Sequence, residues 1–255
     1  MPLNTRQKEI LSTMGISLWN ARSDVPELGS FTEQVSSITD VELAEAECLP
    51  EITENIVENL PPSQEVPSVV DWLQLQAQVK SCQACELHSS RLNTVFGVGD
   101  EKANWMIIGE APGADEDRQG EPFVGKAGQL LNQMFISLGL SRERVFIANI
   151  LKCRPPNNRD PKLEEVVACQ SFLDQQIDYV QPKVILAVGR ISAQNLLQTT
   201  ETIGRIRGKK YLYRDTGIPI VATYHPAYLL RSPLEKRKVW QDLVMAKRII
   251  SGDCD

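Results

Sequence analysis

Four short apolar runs constrain this chain most: Asn104-Trp105-Met106-Ile107-Ile108-Gly109, Val145-Phe146-Ile147-Ala148-Asn149, Val184-Ile185-Leu186-Ala187-Val188-Gly189, and Ile218 to Thr223. Consecutive rather than alternating apolar residues over such a length mark strands covered on both faces. Helical spacing runs from Ala127 to Phe135, from Leu163 to Val180, from Ile191 to Leu197 and from Leu234 to Ile250, and Val69 to Val79 reads as a further helix ahead of them. Apolar strands alternating with amphipathic helices predict an α/β fold, with a central parallel four-stranded sheet flanked by helices on both faces. Open sheets of this kind place ligands beyond the C-terminal ends of their strands. Three of the predicted strands end at Gly109, Asn149 and Thr223-Tyr224-His225. No internal repeat is evident.

The texture differs before residue 67. Residues 1–66 hold 3 basic and 12 acidic side chains, and Pro61-Pro62 closes the stretch. Its apolar content is too low for a core, so a weakly ordered acidic N-terminal arm is expected, with residues 67–255 forming the folded domain. An acidic arm of this kind can bind an unidentified protein partner, shield the basic face, or serve no role. The net charge of −6 argues against nucleic acid only until its distribution is considered. Outside the arm, basic groups concentrate late, at Arg205, Arg207, Lys209, Lys210, Arg214, Arg231, Lys236, Arg237 and Lys238. A local basic face governs phosphate binding more than the total does.

No run of about 18 apolar residues is present, so no membrane span is expected. The start of the sequence is polar, with no apolar core of export length. A reducing cytoplasmic location follows as the expectation, where clustered cysteines bind metal more often than they pair. Of six cysteines, Cys82, Cys85, Cys153 and Cys169 form the cluster, while Cys48 and Cys254 lie outside its spacing. Cys82-x-x-Cys85 alone is a modest signal. Four thiolates suit a structural zinc or an iron–sulfur cluster, and the spacing does not choose between them.

The strand ends carry the other chemistry. Gly109-Glu110-Ala111-Pro112-Gly113 is a tight loop whose bare backbone a ligand can approach closely. Phe123, in Pro122-Phe123-Val124-Gly125, is placed to stack a nucleobase, a contact of about 1–3 kcal/mol. Asn149 ends an apolar strand, where a carboxamide is out of place as core and can pair with a base edge. His225 follows a strand and precedes a proline, a setting typical of functional loops. His88, the second of two histidines, sits just after the cysteine pair as a structural residue or a ligand. Leu229-Leu230-Arg231 can wedge a base stack and grip phosphate. The cysteines and basic groups alone would also allow a non-catalytic, metal-stabilised nucleic-acid-binding or partner-recruiting protein.

Taken in order, Gly-Glu-Ala-Pro-Gly, Pro-Phe-Val-Gly-x-Ala-Gly, Asn-Ile-Leu-Lys-Cys-Arg-Pro-Pro and His-Pro-Ala-Tyr-Leu-Leu-Arg, with the four cysteines, closely resemble the family 4 uracil-DNA glycosylases. These are the iron–sulfur branch of their superfamily. The resemblance covers about residues 70 to 250. It implies a DNA-repair enzyme that flips uracil out of DNA and hydrolyses its N-glycosidic bond, acting on uracil-containing DNA as a monomer. It implies a [4Fe–4S] cluster on Cys82, Cys85, Cys153 and Cys169. Catalytic roles fall to His225, Glu110 and Ala111, and uracil binding to Gly109, Phe123 and Asn149. DNA contacts fall to Leu229, Leu230, Arg231 and Arg154. The position of Ala111 is an aspartate that orients water in other branches, so the resemblance leaves the water's positioning open. Glu110-Ala111, with no inserted basic loop before His225, implies turnover rather than covalent trapping on DNA.

Overall fold

The computed structural model describes residues 71–252. The acidic arm, Cys48 and Cys254 lie outside these residues, as does the start of the helix expected from Val69. The first described helix, α1 (Trp72–Ser81), opens at Asp71, whose carboxylate accepts the amides of Leu73 and Gln74 at 3.0 and 3.3 Å. The strands are β1 (Val98–Gly99), β2 (Trp105–Gly109), β3 (Phe146–Asn149), β4 (Val184–Val188), β5 (Lys210–Tyr213) and β6 (Ile218–Thr223). The remaining helices are α2 (Ala114–Gln119), α3 (Lys126–Ser137), α4 (Leu163–Val180), α5 (Arg190–Leu197), α6 (Ile203–Ile206), α7 (Pro226–Arg231) and α8 (Lys236–Ser251).

The strands form one sheet in the order β1-β3-β2-β4-β6-β5. The central four are the predicted ones, and they are parallel. The prediction of a four-stranded parallel sheet needs correction at both edges. β1 pairs antiparallel with β3, and β5 pairs antiparallel with β6, making a mixed six-stranded sheet. Neither edge strand carries an apolar run. β1 is two residues long, and β5 reads Lys-Tyr-Leu-Tyr with only Tyr213 buried. An edge strand needs no second covered face, so it lacks the signal that marks a central one.

Side chains alternate across the central strands and divide the interior into two layers. Met106, Ile108, Ile185 and Ala187 face Trp72 and Leu75 of α1, Leu173 and Ile177 of α4, and Leu196 of α5. Trp105, Ile107, Leu186 and Val188 face Leu131 and Phe135 of α3 and Val239 and Leu243 of α8. Because the four central strands are parallel, their C-terminal ends emerge together at one edge of the molecule. The register sets Gly109 opposite Asn149 and Val188 opposite Thr223 there. No helix among the described residues is long and apolar enough to cross a membrane.

Candidate active site

A cleft of about 540 Å³ opens beyond these strand ends, within the range of small-ligand sites. Gly109 delivers the chain to its floor. A Cβ on Gly109 would lie 2.4 Å from Asn149 Oδ1 and 2.7 Å from the Phe123 ring, so only glycine permits their approach. Asn149 is 2% exposed and lines the cleft, and its carboxamide has no hydrogen-bond partner among the described residues. The group reaches the cleft, where it is open to pair with a ligand or water. Phe123 lines the same cleft, with its ring 5.7 Å from that of His225 and inclined by 29°. Phe123 is nearly buried rather than displayed on an exposed loop, and its φ of 53° is the left-handed region.

His225 stands in the short connection between β6 and α7, as the Pro226 that follows it suggested, and there it caps α7. Its Nδ1 accepts the amide of Ala227 at 3.2 Å, which leaves the hydrogen of a neutral ring on Nε2. Burial, reinforced by the nearby Arg231 cation, lowers the imidazole pKa to about 4. The ring is therefore a neutral hydrogen-bond donor at ordinary pH. The cleft also holds two carboxylates. Glu116 is committed: Oε1 accepts the amides of Val124 and Gly125 at 3.0 and 3.1 Å, and Oε2 accepts that of Gly113 at 3.1 Å. The Glu110 carboxylate has no hydrogen-bond partner among the described residues. Burial first, and then the Asp160 carboxylate, raise its pKa, while Arg190 opposes them. Ala111 lines the cleft without a polar atom to offer.

The proposed DNA-facing residues divide. Leu229 is 1% exposed and belongs to the layer under α3 and α8, so it cannot wedge into a base stack. Leu230 is 48% exposed, and Leu234, expected at the start of the closing helix, is 92% exposed in the single turn, Pro233–Glu235, that precedes α8. The helical period decides this, since adjacent residues on α7 face about 100° apart. Arg231 lines the cleft, and Arg154 donates from Nε to Asn158 Oδ1 at 2.8 Å. Part of the late basic cluster is used internally. Arg207 makes a two-pronged pair with buried Asp242, at 3.0 and 2.7 Å, and Arg214 pairs with Asp174 at 2.9 Å. Arg205, Lys209, Lys210, Lys236 and Arg237 remain exposed.

Behind β3, Cys82, Cys85, Cys153 and Cys169 all line one small cavity together with His88, Arg91 and Lys152. None is in a disulfide. Arg91 Nη1 donates to Cys153 Sγ at 2.9 Å and the Lys152 amide to Cys169 Sγ at 3.4 Å. Burial pushes the Cys169 thiol up to about 11 and raises that of Cys153. His88 turns its Nδ1 to the Cys85 carbonyl at 2.8 Å. Lys152 is fully buried, and its ammonium donates to the Asn149 carbonyl at 2.8 Å and to Gln176 Oε1 at 2.6 Å. It thereby ties the cysteine cavity to the end of β3. Glu116 and Arg91 carry no signal in the sequence, and Lys152 stands in the Asn-Ile-Leu-Lys-Cys motif without a role of its own there. Glu116 sits in Asp115-Glu116-Asp117, which reads as a solvated acidic face, and an isolated Arg91 carries no motif.

Residues 96–244 match the family model described as the uracil DNA glycosylase superfamily. The chain belongs to that superfamily. Within it, the chain is 48% identical over 162 residues to a type-4 uracil-DNA glycosylase of Archaeoglobus fulgidus, covering 61% of this chain and 81% of the relative. It is 46% identical over 182 residues to the type-4 uracil-DNA glycosylase of Pyrobaculum aerophilum, covering 69% of this chain and 93% of the relative. A type-5 uracil-DNA glycosylase of the same organism is 31% identical over 146 residues, covering 51% of this chain and 64% of the relative. The higher identity and coverage place the chain with the type-4 uracil-DNA glycosylases.

Proposed function

We propose that the chain excises uracil from DNA, hydrolysing the N-glycosidic bond and leaving an abasic site. The convergence of Asn149, Phe123 and His225 on one cleft carries this reading. An enzyme that works on a base in duplex DNA must take it out of the stack. The cleft then receives the flipped uracil. Phe123 stacks on its face. The unpartnered Asn149 carboxamide pairs with N3–H and O4, and cytosine, whose donor and acceptor are reversed at those positions, would leave buried polar groups unpaired.

When the C1′–N1 bond breaks, its electron pair departs with the base and the sugar becomes cation-like. His225, neutral and holding its hydrogen on Nε2, donates to the oxygen on which that charge collects. Loss of one such preorganised donor typically costs about 100- to 1000-fold in rate. Water completes the reaction at C1′. With Ala111 apolar and both Glu116 oxygens occupied, Glu110 is the cleft carboxylate left to accept the water's hydrogen. Its raised pKa makes it a better proton acceptor than an ordinary carboxylate. Leu230 and Arg231 on α7 and Arg154 contact the duplex around the extruded nucleotide.

Cys82, Cys85, Cys153 and Cys169 would hold a [4Fe–4S] cluster. The donor set fits: four thiols share one cavity, and N–H groups from Arg91 and the Lys152 backbone reach two sulfurs, as cluster sulfurs require. A bound cluster would cross-link the end of α1, through Cys82 and Cys85, to Cys153 in the β3–α4 connection and Cys169 in α4.

The deciding experiment incubates the purified chain with a uracil-bearing oligonucleotide and cleaves abasic sites with alkali. Strand scission dependent on both uracil and the chain is expected. His225→Ala and Asn149→Ala should each slow excision about 100- to 1000-fold. Near-normal rates in both would reject the assignments.

A further inference from the structure

Phe123 pays for its position with a backbone conformation that an aromatic residue rarely adopts. A non-glycine residue in the left-handed region is strained and persists only where its surroundings over-determine it. Here the determinants are visible on both sides. Arg142 Nη2 donates to the Pro122 carbonyl, before the strained residue, and Nη1 donates to the Phe123 carbonyl at 3.3 Å, just after it. Nη1 also reaches Asn132 Oδ1 on α3 at 3.3 Å, which anchors the guanidinium. On the C-terminal side, Glu116 Oε1 holds the next two amides, those of Val124 and Gly125. Its other oxygen holds Gly113, so one carboxylate joins the Phe123 loop to the loop that follows β2. Gly128 lets the first turn of α3 close on the same segment, since a Cβ there would lie 1.7 Å from the Phe123 carbonyl oxygen.

We propose that Arg142 and Glu116 form a two-sided charged clamp that fixes the Phe123 ring for stacking on the extruded base. Neither residue touches the reacting atoms. Both are positioning residues, and the inference rests on the stacking role assigned to Phe123 above. One jaw takes the carbonyls of Pro122 and Phe123, and the other takes the amides of Val124 and Gly125. Three consecutive peptide groups, from Pro122–Phe123 to Val124–Gly125, therefore have a charged partner, and the middle one has both. Charge-assisted hydrogen bonds of this kind are about twice as strong as neutral ones. Without them the segment relaxes toward ordinary φ values and the ring swings away from Asn149 and His225. A displacement of about 1 Å at a positioning group can cost about 100-fold in rate.

The test is a double-mutant cycle on the full chain, read by single-turnover excision from a uracil-bearing oligonucleotide, with thermal unfolding recorded for each variant. Arg142→Met should slow excision about 10- to 100-fold, and Arg142→Lys, which keeps one donor direction, should recover part of the loss. In the Phe123→Ala background, Arg142→Met should cost less than about threefold, because the ring it positions is gone. Equal losses in both backgrounds would mean a merely structural role and would overturn the clamp, as would no loss in the parent. If Arg142→Met does not fold, Glu116→Gln tests the opposite jaw by the same non-additivity. Phe123→Ala alone separates the two levels. Parental excision by that variant overturns the stacking role and the clamp together, whereas impaired excision with additive Arg142 losses overturns the clamp only.

Discussion

Gly109 and Asn149 stand opposite each other in the parallel register of β2 and β3, and the space a Cβ would need on Gly109 is filled by the Asn149 carboxamide oxygen. The neighbour on the other side is the Phe123 ring. Gly109→Ala must therefore push both groups out of the cleft. We expect uracil excision to fall about 100-fold or more, with a loss of stability of about 1–3 kcal/mol, the usual cost of overpacking. Excision kinetics and denaturant unfolding of the variant check both figures.

His225 links the cleft to pH. Its pKa is depressed from 6.5 to about 4, so the unfolded chain binds a proton at higher pH than the folded chain does. Its contribution to stability is complete above pH 6.5 and is lost as pH falls from there toward 4, with about 3 kcal/mol as the ceiling. Thermal unfolding against pH should show the parent losing ground to His225→Gln across that window. Excision should show no His225-dependent inflection near 6.5, and one that disappears in His225→Gln would mean the imidazole is not held neutral.

Leu229 and Leu230 are adjacent yet have opposite fates. Leu229→Ala empties a buried site and should destabilise the fold by about 2–5 kcal/mol. Leu230→Ala should leave unfolding within about 0.5 kcal/mol of the parent, as surface changes do, and slow excision from duplex DNA. Paired melting and excision measurements distinguish the two, and the reverse result would reassign the wedge.

Cys153→Ser tests the cysteine cavity without relying on activity. Iron content by elemental analysis and the unfolding midpoint should fall together, with a stability loss of roughly 4 kcal/mol or more, as for other lost metal centres. Loss of iron with unchanged unfolding would mean that the cluster does not brace the β3–α4 connection.

Asp242, on the buried face of α8, accepts from Arg207 and from Thr223 Oγ1 at 2.8 Å, two residues before His225. Arg207 also lies over the Tyr224 ring, 5.7 Å from its centroid. Asp242→Ala leaves that guanidinium without its carboxylate and should cost about 3–5 kcal/mol. Asp242→Ala and Arg207→Ala should be far from additive in unfolding experiments, since they remove the same pair.

The readable parts of this chain share a physical origin. Strands β2, β3, β4 and β6 are legible because a strand covered on both faces must be apolar throughout, and α4 is legible to the residue because its apolar stripe is long. The motif residues at the strand ends are legible because glycine, a terminal asparagine and a histidine before proline are out of character with their surroundings. The edge strands are not, since β5 is covered on one side only and its sequence resembles a basic surface. Nor are the charged side chains that hold the site in shape.

Composition and periodicity determined which segments are strands, where they end, and which residues have chemistry to offer, because burial writes itself into local sequence. Only the tertiary structure decided that Leu230 rather than Leu229 faces out, that Glu116 and Arg142 meet across the Phe123 loop, and that Asp242 claims Arg207. A charge takes its meaning from what stands opposite it, and the residues that stand opposite here are distant in the chain.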